Sequence, residues 1–128
     1  MTEYSNKSIQ EKLGITPETR LYIINPPVNF LNSITVRRVN HPDALDVLLL
    51  FTSSKEELTQ AFPTLMSSID TAGVFWVCWP KNTSEVESSL DDNRIREIGL
   101  LNGMVDVKVI TIDDAWSALK FVFRLKDR

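Results

Sequence analysis

Two segments constrain this chain more than any others. Residues 44–51 (ALDVLLLF) and 73–79 (GVFWVCW) are nearly continuous in apolar residues. A strand with one face in water alternates apolar and polar side chains. A short run without that alternation is the pattern of a strand buried on both faces, as in a parallel sheet covered by helices. The stretches 52–72 and 80–104 are each long enough for the helical crossover that parallel strands require. The two runs therefore predict an α/β fold.

The remaining elements are fitted around them. Residues 8–13 read as a short helix with Ile9 and Leu13 on one face, closed by Gly14. Residues 20–25 (RLYIIN) read as a strand stopped by Pro26 and Pro27, neither of which donates to a ladder. Residues 28–33 have room for one or two helical turns. Residues 34–39 (ITVRRV) alternate, and arginines on both faces predict an edge strand. The link 40–43 spans only ~14 Å, too short to recross a sheet, so that strand is expected antiparallel. Ser53 or Ser54 caps the next helix, with Glu56 and Glu57 at its positive end. Pro63 is expected to kink or divide this helix, which resumes through Leu65 and Ile69. Asp91 caps a helix that presents Ile95 and Ile98 and runs through Leu101, and Gly103 ends it. Residues 105–112 and 118–125 are the last strands, antiparallel because 113–117 is too short for a crossover. The expected fold is α/β: a mostly parallel sheet of about six strands, helices on both faces, and antiparallel strands at 34–39 and 118–125.

Composition narrows the function. A length of 128 residues with 43% hydrophobic and 24% charged residues is that of one globular domain, 1–128, with polar residues 1–6 loose. Fourteen basic against 17 acidic residues, a net charge of −3, argues against general nucleic-acid binding and against anionic membranes. One Cys and one His make neither a disulfide nor a zinc site of the usual kind. The start, Met1-Thr2-Glu3-Tyr4-Ser5, has no basic and apolar regions of a secretory signal. No apolar run approaches the ~20 residues of a membrane helix. A soluble, cytoplasmic protein is expected.

Three elements of the C-terminal half carry a resemblance. They are Phe75-Trp76-Val77-Cys78-Trp79-Pro80-Lys81, Gly103-Met104-Val105-Asp106-Val107-Lys108 and Ile112-Asp113-Asp114-Ala115-Trp116-Ser117-Ala118-Leu119. With Tyr4-Ser5, Lys12-Leu13-Gly14-Ile15, Asn25-Pro26-Pro27 and Leu50-Phe51 upstream, the chain resembles the domain-of-unknown-function family 3052. The WPK and DDxWSxL elements are its specific parts. The resemblance implies a small bacterial protein with no established activity. A looser architectural likeness is to Rossmann-type methyltransferases, whose later segments run strand, helix, strand, helix, strand, antiparallel strand. Such an enzyme needs a Gly-rich turn after its first strand, so that the backbone can approach the cofactor. The turn here is Asn25-Pro26-Pro27-Val28-Asn29, without glycine. Where an acid would grip the ribose stand Val39-Asn40-His41. The expected scaffold is Rossmann-like and truncated, and no cofactor is expected.

Ligands of open α/β sheets sit beyond the carboxyl ends of the parallel strands. The loops 25–29, 52–54, 79–84 and 113–117 should gather there, bringing Thr52, Ser53, Asn82 and Thr83 near the candidate ligand-binding residues Asn25, Lys81, Ser84, Asp113, Asp114, Trp116 and Ser117. Lys81 would be the charged anchor, Trp116 a stacking wall, and Asp113 or Asp114 an acceptor. A structural reading competes and is preferred. In it, Lys81 pairs with an aspartate, and Asp113 and Asp114 hold a tight turn that Trp116 covers. No catalytic residue is identified. The adjacent aspartates point apart, Ser117 is far from His41, and Cys78 is a core thiol. Lys120, Arg124, Lys126 and Arg128 read as a solvated basic stripe. The expected function is a non-catalytic regulatory or protein-interaction domain with an unidentified protein partner. The alternative is a small-molecule-binding domain or enzyme that holds a small polar ligand at loops 79–84 and 113–117.

Overall fold

The computed structural model describes residues 8–82, 84 and 86–128; the expected loose stretch 1–6 and Thr83 lie outside them. Ser8 and Glu11 cap one another's backbone amides, which holds the first turn of a five-residue helix, α1 (Ile9–Leu13). Gly14 ends it at φ 76°. The freed carbonyl of Leu13 accepts the buried indole N–H of Trp76 at 3.1 Å, which ties the helix to the middle of the sheet. Strand β1 (Leu21–Ile24) and a 3-10 turn (Phe30–Ser33) follow. Then come β2 (Leu45–Phe51), α2 (Lys55–Met66), β3 (Ile69–Pro80), α3 (Asp92–Leu101), β4 (Met104–Thr111) and β5 (Trp116–Phe123), with a last 3-10 turn at Leu125–Asp127.

The strands form a sheet in the order β1-β2-β3-β5-β4. β1 pairs with β2 and β2 with β3 in parallel, whereas β5 is antiparallel to both β3 and β4. The architecture is α/β, but the sheet is mixed and has five strands, not the mostly parallel six expected. The missing strand is 34–39. Its alternation is real, since Ile34 and Val36 are buried beneath the sheet. Its hydrogen bonds go elsewhere. The amides of Thr35 and Val36 both donate to the Gln10 side-chain carbonyl on α1, and only Arg38 forms a bridge, a parallel one to Leu21. A side chain has taken the place of a neighbouring strand.

Helix α2 also departs from the expectation of a kink or division at Pro63. Ser54 caps it, its hydroxyl accepting the Glu57 amide at 3.1 Å. The helix then runs unbroken through Pro63, which lies on the exposed side, where water can satisfy the carbonyl its ring leaves without a donor. It stops at Met66, where the Ser67 and Ser68 hydroxyls turn back onto the carbonyls of Thr64 and Leu65. Ile69, four residues after Leu65 and so in helical phase, instead opens β3 and pairs with Leu45. Asp91 caps α3 as expected.

The sheet separates two cores. On one face α2 and α3 cover Leu48, Leu50, Phe75, Val77, Leu119 and Phe121. On the other, α1, the 3-10 turn and the 34–36 segment cover Val47, Leu49, Phe51, Trp76 and Cys78. Gly99 of α3 lies so close to β5 that a Cβ there would be 2.0 Å from the Phe121 ring. The row Ile23, Leu49, Trp76, Lys120 and Lys108 crosses the second face in register. Lys120 is therefore half-buried, 5.9 Å over the Trp76 ring, and not part of a solvated stripe. Burial first, and Lys108 second, lowers its pKa from the ordinary 10.5.

Candidate functional site

The carboxyl ends of β1, β2, β3 and β4 and the amino end of β5 open on one end of the sheet, as the register of Pro80 with Trp116 and of Thr111 with Ser117 requires. The loops singled out from the sequence therefore gather there. Asn25 leaves β1 in the left-handed region, φ 56°, one of the few non-glycine residue types that adopt it readily. Pro26 and Pro27 follow, and the Phe30 amide donates to the Pro27 carbonyl at 3.0 Å. That turn drives Phe30 inward. Its ring centroid lies 4.8 Å from Phe51 at the end of β2, and Phe51 meets Trp116 edge-on at 5.2 Å. Three rings thus close the second face of the sheet at its carboxyl end.

The corner where the β4–β5 turn meets the end of β3 is held by one carboxylate and by backbone bonds. Asp113 Oδ1 accepts the amides of Ala115 at 2.8 Å and Trp116 at 2.9 Å, an Asx turn of the kind the structural reading anticipates. The Lys81 amide donates to the Ala115 carbonyl at 2.8 Å, and the Ser84 amide to the Lys81 carbonyl at 3.0 Å. Lys81, Ser84, Trp116 and Ser117 are half-buried, while Asp113 and Asp114 are exposed. Asn25 stands apart from these six, across the end of β2. Among the described residues no ion pair joins Lys81 to Asp113 or Asp114.

A groove of about 310 Å³ opens on the α2 side of the same end, between β1 and α2. Ile24, Leu50 and Leu65 form its apolar floor, and Asn25, Thr52 and Glu57 its polar rim. Thr52 is the buried polar residue here. Its hydroxyl accepts the Ser54 amide at 3.2 Å and donates to Glu57 at 3.4 Å. Glu57 was legible only as an acid favoured by a helix N-terminus. Nothing in the sequence brings the first turn of α2 over the end of β1.

The other chemistry-bearing groups lie apart. Cys78 is fully buried among apolar side chains, which pushes its thiol pKa well up and keeps it protonated and inert. His41 lies by the start of β1, at the opposite end of the sheet from Ser117. Among the described residues no group of His, Cys, Asp and Glu is placed to hold a metal ion, and no helix is long and apolar enough to cross a membrane.

Known structures of the same shape are Rossmann-like. A protein of the NADB-Rossmann superfamily from Streptococcus agalactiae superposes with a TM-score of 0.53 at 10% identity, over 96% of this chain and 70% of its own. The B. subtilis tRNA methyltransferase TrmK gives 0.52 at 10% identity, over 94% and 67%. Magnesium protoporphyrin IX methyltransferase from Synechocystis, in its SAH-bound structure, gives 0.51 at 14% identity over 70% of this chain. The chain spans about half, 51%, of the length of that enzyme. At these identities the likeness is one of fold. No curated protein matches the chain in sequence. Residues 35–125, which hold the WPK and DDxWSxL elements, match the family described as "Protein of unknown function (DUF3052)", and the chain belongs to that family.

Proposed function

We propose that this chain is a non-catalytic domain on a methyltransferase-like scaffold and that it works by engaging a protein partner. The observation that carries the reading is the glycine-free, ring-packed turn that follows β1. Where a methyltransferase brings glycine backbone up to its cofactor, this chain has Asn25-Pro26-Pro27, with the Pro27 carbonyl taken by Phe30 and the Phe30 ring packed on Phe51. The segment that would supply a ribose-binding acid runs instead to the other end of β1, where Val39 donates to the Leu21 carbonyl at 2.9 Å. These residues do not fit an adenosyl cofactor. Exposed apolar surface supports a protein partner: Leu101 is 82% and Leu125 79% exposed. Each is close in sequence to a wall of a groove of about 430 Å³ lined by Pro63, Met66, Asn102 and Phe123. The test is calorimetric titration with S-adenosylmethionine. No binding heat is expected up to millimolar ligand, and a saturable isotherm overturns the reading.

A second reading rests on the Lys81 corner. The Lys81 ammonium and the Asp114 carboxylate have no hydrogen-bond or ion-pair partner among the described residues and stand at the ligand end of the sheet. Under it a small polar ligand is held there. Lys81→Ala then abolishes a thermal shift found in a metabolite screen while leaving the melting temperature of the free protein unchanged. A shift that survives in the variant removes this reading.

A further inference from the structure

The opposite end of the sheet carries a different feature. A cavity of about 450 Å³ beside the start of β1 is lined by Arg20, Arg37, Arg38, Asn40 and His41, with Val39 and Pro17 as apolar walls. In a chain of net charge −3, three of the 14 basic residues and its one His converge on this spot from two separate segments. No carboxylate lines the cavity.

The arrangement is built rather than frayed. The Leu21–Arg38 bridge and the Val39 amide, 2.9 Å from the Leu21 carbonyl, fix the second segment against β1. The amides of Asp46 and Val47 both donate to the Arg20 carbonyl. Arg20 Nη2 donates to the main-chain carbonyl of Asp43 at 2.9 Å, and the Arg20 amide donates to Asp46 Oδ2 at 2.9 Å. The guanidinium groups of Arg37 and Arg38 make no hydrogen bond or ion pair among the described residues. Arginines that line one cavity without a lining carboxylate leave their positive charge to be met by an anion. Their planar donor sets match phosphate oxygens.

We infer that the Arg20–Arg37–Arg38 cavity is a binding site for a phosphate group, free or as the monoester of a small molecule. This does not depend on the proposed function, which concerns the other end of the sheet. The test is a heteronuclear NMR titration of the protein with inorganic phosphate and with phenyl phosphate, at constant ionic strength set by sodium chloride. Saturable shifts of the amides of residues 19–21 and 37–41 are expected, weakened at least tenfold in Arg37→Gln and in Arg38→Gln. Equal affinity for the two probes assigns recognition to the phosphate alone, and tighter binding of the ester assigns a share to the Val39 and Pro17 walls. Arg37 is exposed and bridges nothing, so Arg37→Gln stays informative if Arg38→Gln disturbs the bridge to Leu21. No saturable shift with either probe, or undiminished affinity in Arg37→Gln, overturns the inference.

Discussion

Gly99 is a residue whose part the sequence conceals. In a helix interior, glycine to alanine ordinarily adds stability, by about 1 kcal/mol. Here the added methyl would stand 2.0 Å from a carbon of the buried Phe121 ring, so either the ring or the helix must move. We predict that Gly99→Ala destabilises the protein by about 1–3 kcal/mol, read as a lower urea midpoint, because overpacking outweighs helix propensity. Phe121 also touches Phe62 of α2, at 5.6 Å between ring centroids, so the displacement reaches the second helix. Residues with a local reason to be where they are were legible: Gly14, Ser54, Asp91 and the core thiol Cys78. Glu57 and Gly99 were not, because each has its role only through an element distant in the chain.

At the level of elements, the segment 34–39 is the instructive one. Its alternating pattern holds for Ile34 and Val36, which turn inward, and fails beyond them, where Arg38 is exposed and Val39 packs against the other core; nor does pattern say where the backbone amides find acceptors. The Gln10 side chain supplies the acceptor for Thr35 and Val36 and leaves no row of amides for strand pairing. Gln10→Ala should therefore cost about 1–3 kcal/mol, the net worth of two such bonds, and speed hydrogen exchange of the Val36 amide. Unchanged exchange at Val36 would mean that another acceptor holds the segment. The α2 boundary teaches the same lesson in reverse. Ile69 keeps helical phase with Leu65, but two serine hydroxyls end the helix first and release it to β3. The two apolar runs, by contrast, identified β2 and the buried part of β3 directly, since burial on both faces leaves no other pattern.

For the whole molecule, the decisive property is how the two ends of the sheet differ. The carboxyl end, where a Rossmann-like protein holds its ligand, is closed on one face by Phe30, Phe51 and Trp116 and tied at its corner by Asp113. The amino end of β1 instead has a cavity lined by three arginines. Connection lengths in the sequence foretold the α/β class, the parallel core and the antiparallel last strand. They did not foretell that β5 inserts between β3 and β4, because a short link fixes the direction of a strand but not its far neighbour. The loops at the carboxyl end were legible as one neighbourhood, since topology alone gathers them. The arginine cavity was read as an edge strand, because only the three-dimensional bridge to Leu21 brings Arg20 and Arg38 together.

The proposed function requires that the carboxyl end offer no place for an adenosyl cofactor. The most direct measurement is an amide chemical-shift map of isotope-labelled protein titrated with S-adenosylhomocysteine. The account predicts that the amides of Asn25, Phe30, Thr52 and Ser53 stay in place at millimolar ligand. Saturable shifts confined to those residues would contradict it and restore a cofactor-binding methyltransferase fold.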